Sequence, residues 1–418
     1  MRLHLCSWVM AAVVLAAFSP GLSAQDLLLQ DLVSSALQNN PEIKAADAKA
    51  AAMAQKVPME GSLMDPMLSV GYQNEGLKEY NYGESPDAQW MFSLEQTFPW
   101  PGKLTMQEEA ARLTAESEKA SAEMMRREVV SRVTEAFYDL LLAEKELDLI
   151  GALKPLALKM EDVALARYSS GAGSQEDVLM AQAEKYMLLE REEMARSRRV
   201  AAEAMLSAET GSTDLTPQGR PVEPPAMPFP YTAEELIAQA EEQAPELAMR
   251  RRLMEASGKR LSRSRKEALP DVTLMAKYSS RGGGFEDMYE LTASVPLPLF
   301  YRSRQGAGVT ESSWMLSGSR SELEAARARI AGRIRDDLAM VHASERIVDL
   351  YRNSLIPTAR KGIDAALASF GAGRLEASIA LSRLKAPFDY ELTAWQQQVQ
   401  REKAIARIRV YTGAMEAP

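Results

Sequence analysis

The chain repeats itself. Leu32-Val33-Ser34-Ser35-Ala36, leading to Asn40-Pro41-Glu42-Ile43, recurs 204 positions later as Leu236-Ile237-Ala238-Gln239-Ala240, leading to Ala244-Pro245-Glu246-Leu247. Pro66 and Pro270 keep that spacing, while Phe98-Pro99-Trp100-Pro101 matches Val295-Pro296-Leu297-Pro298 at 197 positions. Further on, Tyr168-Ser169-Ser170-Gly171 matches Phe370-Gly371-Ala372-Gly373 at 202. Two copies of one plan must share an architecture, so any fold is excluded that does not divide into equivalent halves. The copies occupy 25–211 and 231–413, and 414–418 form a short tail. Between them, 212–230 carries Pro217, Pro221, Pro224, Pro225, Pro228 and Pro230, which forbids helix and favours an extended linker.

Each copy reads helix, strand, strand, helix. Residues 31–57 and 232–265 are helical with a proline at an internal turn, and long apolar-periodic stretches follow from about 104 and 305. Val133, Phe137, Leu140 and Leu147 recur as Ile334, Leu338, Val341 and Val348, all 201 positions on. Their spacings of four, three and seven mark a coiled-coil seam. A helix from 102 to 167, at 1.5 Å per residue, is roughly 100 Å long. Between the helices the period drops to two. Leu68, Val70 and Tyr72 alternate with polar residues, as do Trp90, Phe92, Leu94 and Phe98. The same holds for Val272, Leu274, Ala276 and Tyr278, and for Tyr289, Leu291, Ala293 and Val295. This predicts one hairpin per copy, at about 66–98 and 270–297, with strands of about nine to eleven residues, the length that crosses a bilayer at a tilt. Residues 66–102 and 270–301 hold 12 of the 27 aromatic residues, as an interfacial belt requires. Leu94 then faces lipid and Glu95 the lumen. Four strands cannot close, and open edges in lipid leave backbone groups unpaired, so several chains must share one barrel.

Composition removes the main alternatives. The 49 Lys and Arg against 58 Asp and Glu give a net charge of -9, which excludes a general nucleic-acid surface. Residues 1–24 read as a secretory signal: Arg2, an apolar run over 5–18, and Leu22-Ser23-Ala24 at the cleavage site. Cleavage removes Cys6 and His4 and leaves His342, in the helical seam region, as the one histidine. No nucleophile, acid–base pair or metal cluster remains, so the reading is no enzyme, no cofactor and no metal site. The 23 methionines, with Met59, Met64 and Met67 close together, are soft ligands by chemistry but are read as packing filler.

The stretch Gln96-Thr97-Phe98-Pro99-Trp100-Pro101-Gly102-Lys103-Leu104, the tandem halves, and Arg167-Tyr168-Ser169-Ser170-Gly171 through Ser174 to Asp177-Val178-Leu179 resemble the TolC family of outer-membrane efflux channels. The Phe-Pro-Trp-Pro-Gly-Lys stretch is most similar to members paired with heavy-metal pumps of the cobalt-zinc-cadmium or copper-silver type. The resemblance implies a mainly α fold with a membrane β portion: a homotrimer whose twelve-stranded β-barrel continues into an α-helical periplasmic barrel. It implies a bacterial outer-membrane location and a passive exit duct, with metal ions among the candidate cargoes. A periplasmic adaptor protein and a proton-driven inner-membrane pump are the implied partners. The competing classes are a periplasmic adaptor, which should show lipoyl-like half motifs around a single hairpin, and a soluble coiled-coil scaffold.

Two sets of site residues follow from the resemblance. Phe98, Pro99, Trp100, Pro101 and Gly102, with Pro296 and Pro298, fall at the barrel-to-tunnel junction, where proline ends strand pairing and delays helix. Tyr168, Gly171 and Asp177 in the first copy, and Phe370, Gly373, Arg374, Leu375, Glu376, Ile379 and Ser382 in the second, fall at the periplasmic tip and gate. Gly171, Gly173, Gly371 and Gly373 are expected to permit the turns there. Family channels place acidic residues six and nine positions after the second-copy glycine and an arginine two after it. This chain has Ile379, Ser382 and Leu375 instead, which points to an apolar collar.

Overall fold

In the computed structural model the described residues are 26–211, 219–225 and 227–413. The signal segment 1–24, the tail 414–418 and Pro217 of the linker lie outside them. In chain order the elements are β1 (Asp26–Leu27), α1 (Leu29–Asn39), α2 (Pro41–Gly61), β2 (Met67–Gln73), β3 (Gln89–Phe98), α3 (Lys103–Ser169) and α4 (Gln175–Glu209). The second copy follows with β4 (Arg220–Pro221), α5 (Ala233–Gln243), α6 (Pro245–Lys266), β5 (Val272–Ser280), β6 (Met288–Ser294) and α7 (Gln305–Leu350). A π-helical turn (Tyr351–Leu355), α8 (Ile356–Arg360), α9 (Ile363–Gly371) and α10 (Ala377–Thr412) complete it. Within the described part of the linker, Arg220–Pro221 pairs in parallel with Asp26–Leu27.

Pro41 and Pro245 occupy the first position of α2 and α6, where a missing N–H costs nothing. The Asn40 side chain caps α2 and its amide reaches Glu209 O at 2.8 Å, tying the helix start to the end of α4. The seam residues are buried as their spacing requires, except Leu147, which is half-buried. Val133, Phe137 and Leu140 join α1 and α4 in one core, and Ile334, Leu338 and Val341 join α5 and α10 in its counterpart. His342 lies on α7 in the seam region, its side chain half-exposed beside Glu345.

The first-copy helix runs unbroken for 67 residues with Pro155 inside it. The second breaks. Ala122, Val129, Val133, Phe137, Leu140 and Ala143 correspond to Leu323, Ile330, Ile334, Leu338, Val341 and Ser344 at 201 positions, and all twelve are buried. Below, Ala164, Ala202, Leu206 and Thr210 correspond to Ala366, Ala404, Ile408 and Thr412 at 202, again all buried. One extra residue has entered between Val348 and Pro357, and the π-turn at Tyr351–Leu355 lies there. Ile356 N–H bonds to Tyr351 O, five residues back, so the turn takes up one residue without rotating the chain beyond it. It also widens the helix just ahead of Pro357, whose ring would otherwise press on the carbonyl four residues earlier.

Candidate functional site, a two-faced sheet joined to a helical tip

The two hairpins merge into one antiparallel sheet in the order β2-β3-β5-β6. Residues opposite each other share a face, and the register sorts them cleanly. One face carries the rows Leu68–Leu94–Ala276–Leu291 and Val70–Phe92–Tyr278–Tyr289. The other carries Met67–Glu95–Met275–Thr292, Ser69–Ser93–Lys277–Glu290 and Gly71–Met91–Ser279–Met288. At the end remote from the helices, Tyr72 stacks on Tyr80 at 5.0 Å and lies 5.0 Å from Trp90, while the Tyr82 hydroxyl meets Ser280 Oγ at 3.0 Å. β3 and β5 have ten and nine residues, within the expected span. β2 and β6 have only seven each, because these edge strands pair on one side alone.

At the junction, β3 ends at Phe98, and Pro99, Trp100, Pro101 and Gly102 turn the chain directly into α3. Gly102 has a φ of 88°, a left-handed backbone that favours glycine. Lys103, only 6% exposed, pairs with Asp271 at 2.8 Å and Glu267 at 3.4 Å, and Asp271 also accepts from Trp100 N–H at 2.8 Å. Burial raises the Asp271 pKa, but the hydrogen bonds from Lys103 and Trp100 outweigh it and hold the carboxyl below its ordinary value. This clamp joins the two copies where barrel meets helix. Lys103 stands in the motif read from sequence, but no local signal points to Asp271, 168 positions away. The second junction differs: after Pro296 and Pro298 the chain takes further turns over 299–304 before α7 begins, and Leu297, Leu299 and Phe300 stay exposed.

The tips are closely equivalent. Gly171 and Gly373 have φ of 74° and 72°, and each lets its helix close with a bond to the fifth residue back, Ala172 N to Arg167 O at 2.8 Å and Arg374 N to Ser369 O at 2.9 Å. Gly173 and Gly371 do not adopt positive φ. Gly173 is instead a close approach, its virtual Cβ 2.9 Å from the Arg167 Cβ, and Gly371 is the last residue of α9.

Met160, Ala164, Val178 and Ala181 of the first tip share a core with Phe370, Ala377, Ala380 and Leu384 of the second. Phe370 is therefore wholly buried, under the Arg167 guanidinium at 4.7 Å, and cannot line a passage. Leu375 packs at the margin of this core. Asp177 serves as the reciprocal cap of α4, accepting from Ser174 N while Ser174 Oγ accepts from Asp177 N at 3.1 Å. Glu376 and Ile379 hold the matching positions on α10, which has no side-chain cap. Tyr168, Arg374, Glu376 and Ser382 are exposed, and Ile379 is 41% exposed. Missed in the sequence were Arg167 over Phe370 and the Lys385–Glu184 pair at 2.8 Å, which link the tip helices across about 200 positions.

A sheet apolar on one face and polar on the other, with both edges open and long helices beneath, defines the class of trans-bilayer channel subunits. The sequence profile of the outer membrane efflux protein family matches residues 32–212. The alkaline protease secretion protein AprF of Pseudomonas aeruginosa is 26% identical over 311 residues, 69% of this chain and 62% of that protein. The chain thus spans under two thirds of that relative's length. Among solved structures, CusC superposes with a TM-score of 0.79 at 15% identity, covering 93% of this chain and 92% of that one. The Campylobacter jejuni CmeC outer membrane channel gives 0.79 at 14% identity, covering 92% and 85%. Over residues 32–212 the chain matches the outer membrane efflux protein family, and its fold is that of outer-membrane channels with a periplasmic helical extension. The adaptor and soluble-scaffold readings are thereby set aside.

Proposed function

We infer that three copies of this chain form a passive exit duct across the outer membrane. The observation carrying this reading is the pair of open edges, β2 and β6, on a sheet with one apolar and one polar face. Joining β6 of one copy to β2 of the next satisfies the edge groups, turns the apolar rows to lipid and encloses the polar rows. Three copies of four strands make a barrel of twelve, within the even-numbered series of such proteins. The α3–α4 and α9–α10 hairpins then form the periplasmic end, where an adaptor docks and an inner-membrane, proton-driven pump delivers cargo. Tyr168, Arg374, Glu376 and Ser382 are the accessible tip residues such a partner would meet. Ile379 forms an apolar collar. The test is extraction and reconstitution: the protein should leave the outer membrane only in detergent, run as a trimer and conduct ions in a planar bilayer. A soluble, non-conducting monomer with native helix content would overturn the reading.

A further inference from the structure

The two junctions occupy equivalent places in the fold but differ in charge. Around the second, residues 259–271 and 296–311 hold seven Lys and Arg against three Asp and Glu, whereas the corresponding first-copy residues, 55–67 and 99–114, hold three against four. The fold as such therefore does not require the excess. It is also gathered at one level. Thr273 pairs with Ser294 at the foot of the sheet. Below them α6 and α7 run side by side, with Ser257 Oγ 3.0 Å from Ser319 Oγ and a Cβ on Gly308 3.6 Å from Ser264 Oγ. Four of the seven cations are engaged: Lys259 pairs with Glu109 and Arg263 with Glu267, while Arg260 donates to Thr114 Oγ1 and Lys266 to Pro101 O. Arg265, Arg302 and Arg304 are exposed and have no carboxylate partner among the described residues.

An apolar run lies beside these arginines. The alternation of Tyr289, Leu291 and Ala293 on the apolar face of β6 continues past the strand as Val295, Leu297 and Leu299. Leu297, Leu299 and Phe300 are 73%, 80% and 75% exposed, so no core of this chain takes them up. Pro296 and Pro298 remove backbone donors and keep the residues before them extended, so the run leaves the sheet unpaired. Resting on the bilayer-spanning reading of the sheet, we propose that the second junction of each chain binds anionic phospholipid of the periplasmic leaflet. Leu297, Leu299 and Phe300 enter the acyl region, and Arg265, Arg302 and Arg304 meet the headgroup phosphates. Such a surface accepts apolar and cationic groups side by side, because a long arginine stem reaches from one layer to the other. A second copy suits the patch less well. The β2 edge it would present at this level carries Leu63, Met64 and one carboxylate, Asp65, against three arginines, and cations buried without partners are costly.

The test uses the full-length trimer, in detergent and in phosphatidylcholine vesicles. Short-chain phosphatidylglycerol and phosphatidylcholine are titrated against the solubilised trimer, and bound lipid is counted by native mass spectrometry. The parent should prefer phosphatidylglycerol by about tenfold or more, with one site per chain. Arg265→Gln/Arg302→Gln/Arg304→Gln should abolish that preference, and Arg265→Lys/Arg302→Lys/Arg304→Lys should keep most of it. Arg320→Gln/Arg335→Gln/Arg346→Gln, which removes the same charge from exposed positions farther along α7, should leave it unchanged. If the first variant does not assemble, Arg302→Gln and Arg304→Gln singly must each weaken phosphatidylglycerol binding. Leu297→Ser/Leu299→Ser/Phe300→Ser should weaken binding of both lipids with the trimer intact. Equal loss in the two glutamine sets overturns the proposal, as does competition by free glycerol 3-phosphate at the affinity of the lipid. If the Leu297→Ser/Leu299→Ser/Phe300→Ser chain falls apart into monomers that bind phosphatidylglycerol like the parent, the patch belongs to the neighbouring copy and the proposal is overturned too. A parent that enters vesicles but binds both headgroups alike overturns the proposal alone. A parent that does not enter vesicles overturns the bilayer-spanning reading with it.

Discussion

Deleting Asn353 from the π-turn should be nearly harmless, whereas deleting Gly151 from the matching level of α3 should be severe. In a regular helix each lost residue rotates everything beyond it by 100° and draws it back 1.5 Å. Below Gly151, that rotation carries Leu153, Ala157, Met160 and Ala164 off the seams they share with α4, α9 and α10. Leu153 and Met160 alone, at about 1.5–3 kcal/mol for each buried side chain, make the loss roughly 3–6 kcal/mol. Asn353 is exposed, and its side-chain amide donates to Asp349 at 2.5 Å. Removing it converts the π-turn to an α-turn and restores the 201-residue correspondence through the tip, so Phe370 and Ala366 keep their facing. Pro155, inside the unbroken α3, is the precedent for a proline at this level. The expected cost is within about 1 kcal/mol, the ordinary range for a surface change. The assay is the temperature at which purified trimers dissociate in detergent, with amide exchange over 346–366 as the local readout. The deletion should slow exchange there. If loss of Asn353 lowers trimer stability as much as loss of Gly151 does, the π-turn is not what absorbs the extra residue.

Leu94→Arg, on the apolar face, should reduce trimer assembly in the outer membrane by about 2–4 kcal/mol, the cost of a cation at mid-bilayer, and Glu95→Arg should not; equal yields would refute the assigned faces. Asp271→Asn should destabilise the junction by about 1–2 kcal/mol at pH 7, a modest loss because Asp271 is one-third exposed and partly screened by solvent. Its folded pKa is lowered, so its contribution is complete above the ordinary carboxylate value near pH 4 and fades as pH falls through the folded pKa. Melting curves of parent and variant should therefore converge below pH 4, and a gap that widens there would contradict the clamp. Ile379→Asp puts a carboxylate at the third position of α10, where the helix N-terminus tolerates it and Asp177 already does the same on α4. The tip fold should hold while the channel gains cation preference and divalent block; unchanged reversal potential and block in bilayers would remove Ile379 from the constriction.

Much of this molecule is written in local periodicity, which covalent geometry alone converts into faces. Spacings of four, three and seven bury Val133, Phe137 and Leu140, and strict alternation puts Leu94 and Glu95 on opposite sides of β3, whatever the strand pairs with. The glycines at 171 and 373 and the prolines at 99 and 101 likewise act through their own backbone. The sequence could not say that β3 pairs with β5, that Lys103 would find Asp271, or that Arg167 would cover Phe370. Those partners lie between 168 and 203 positions apart, and no local preference selects one distant residue over another. The extra residue of the second copy was visible as the change from 201 to 202, yet a loop, a kink or a π-turn could each have absorbed it. Packing chose the π-turn, because only a widened helix keeps Val348 above and Ala366 below on the same buried side.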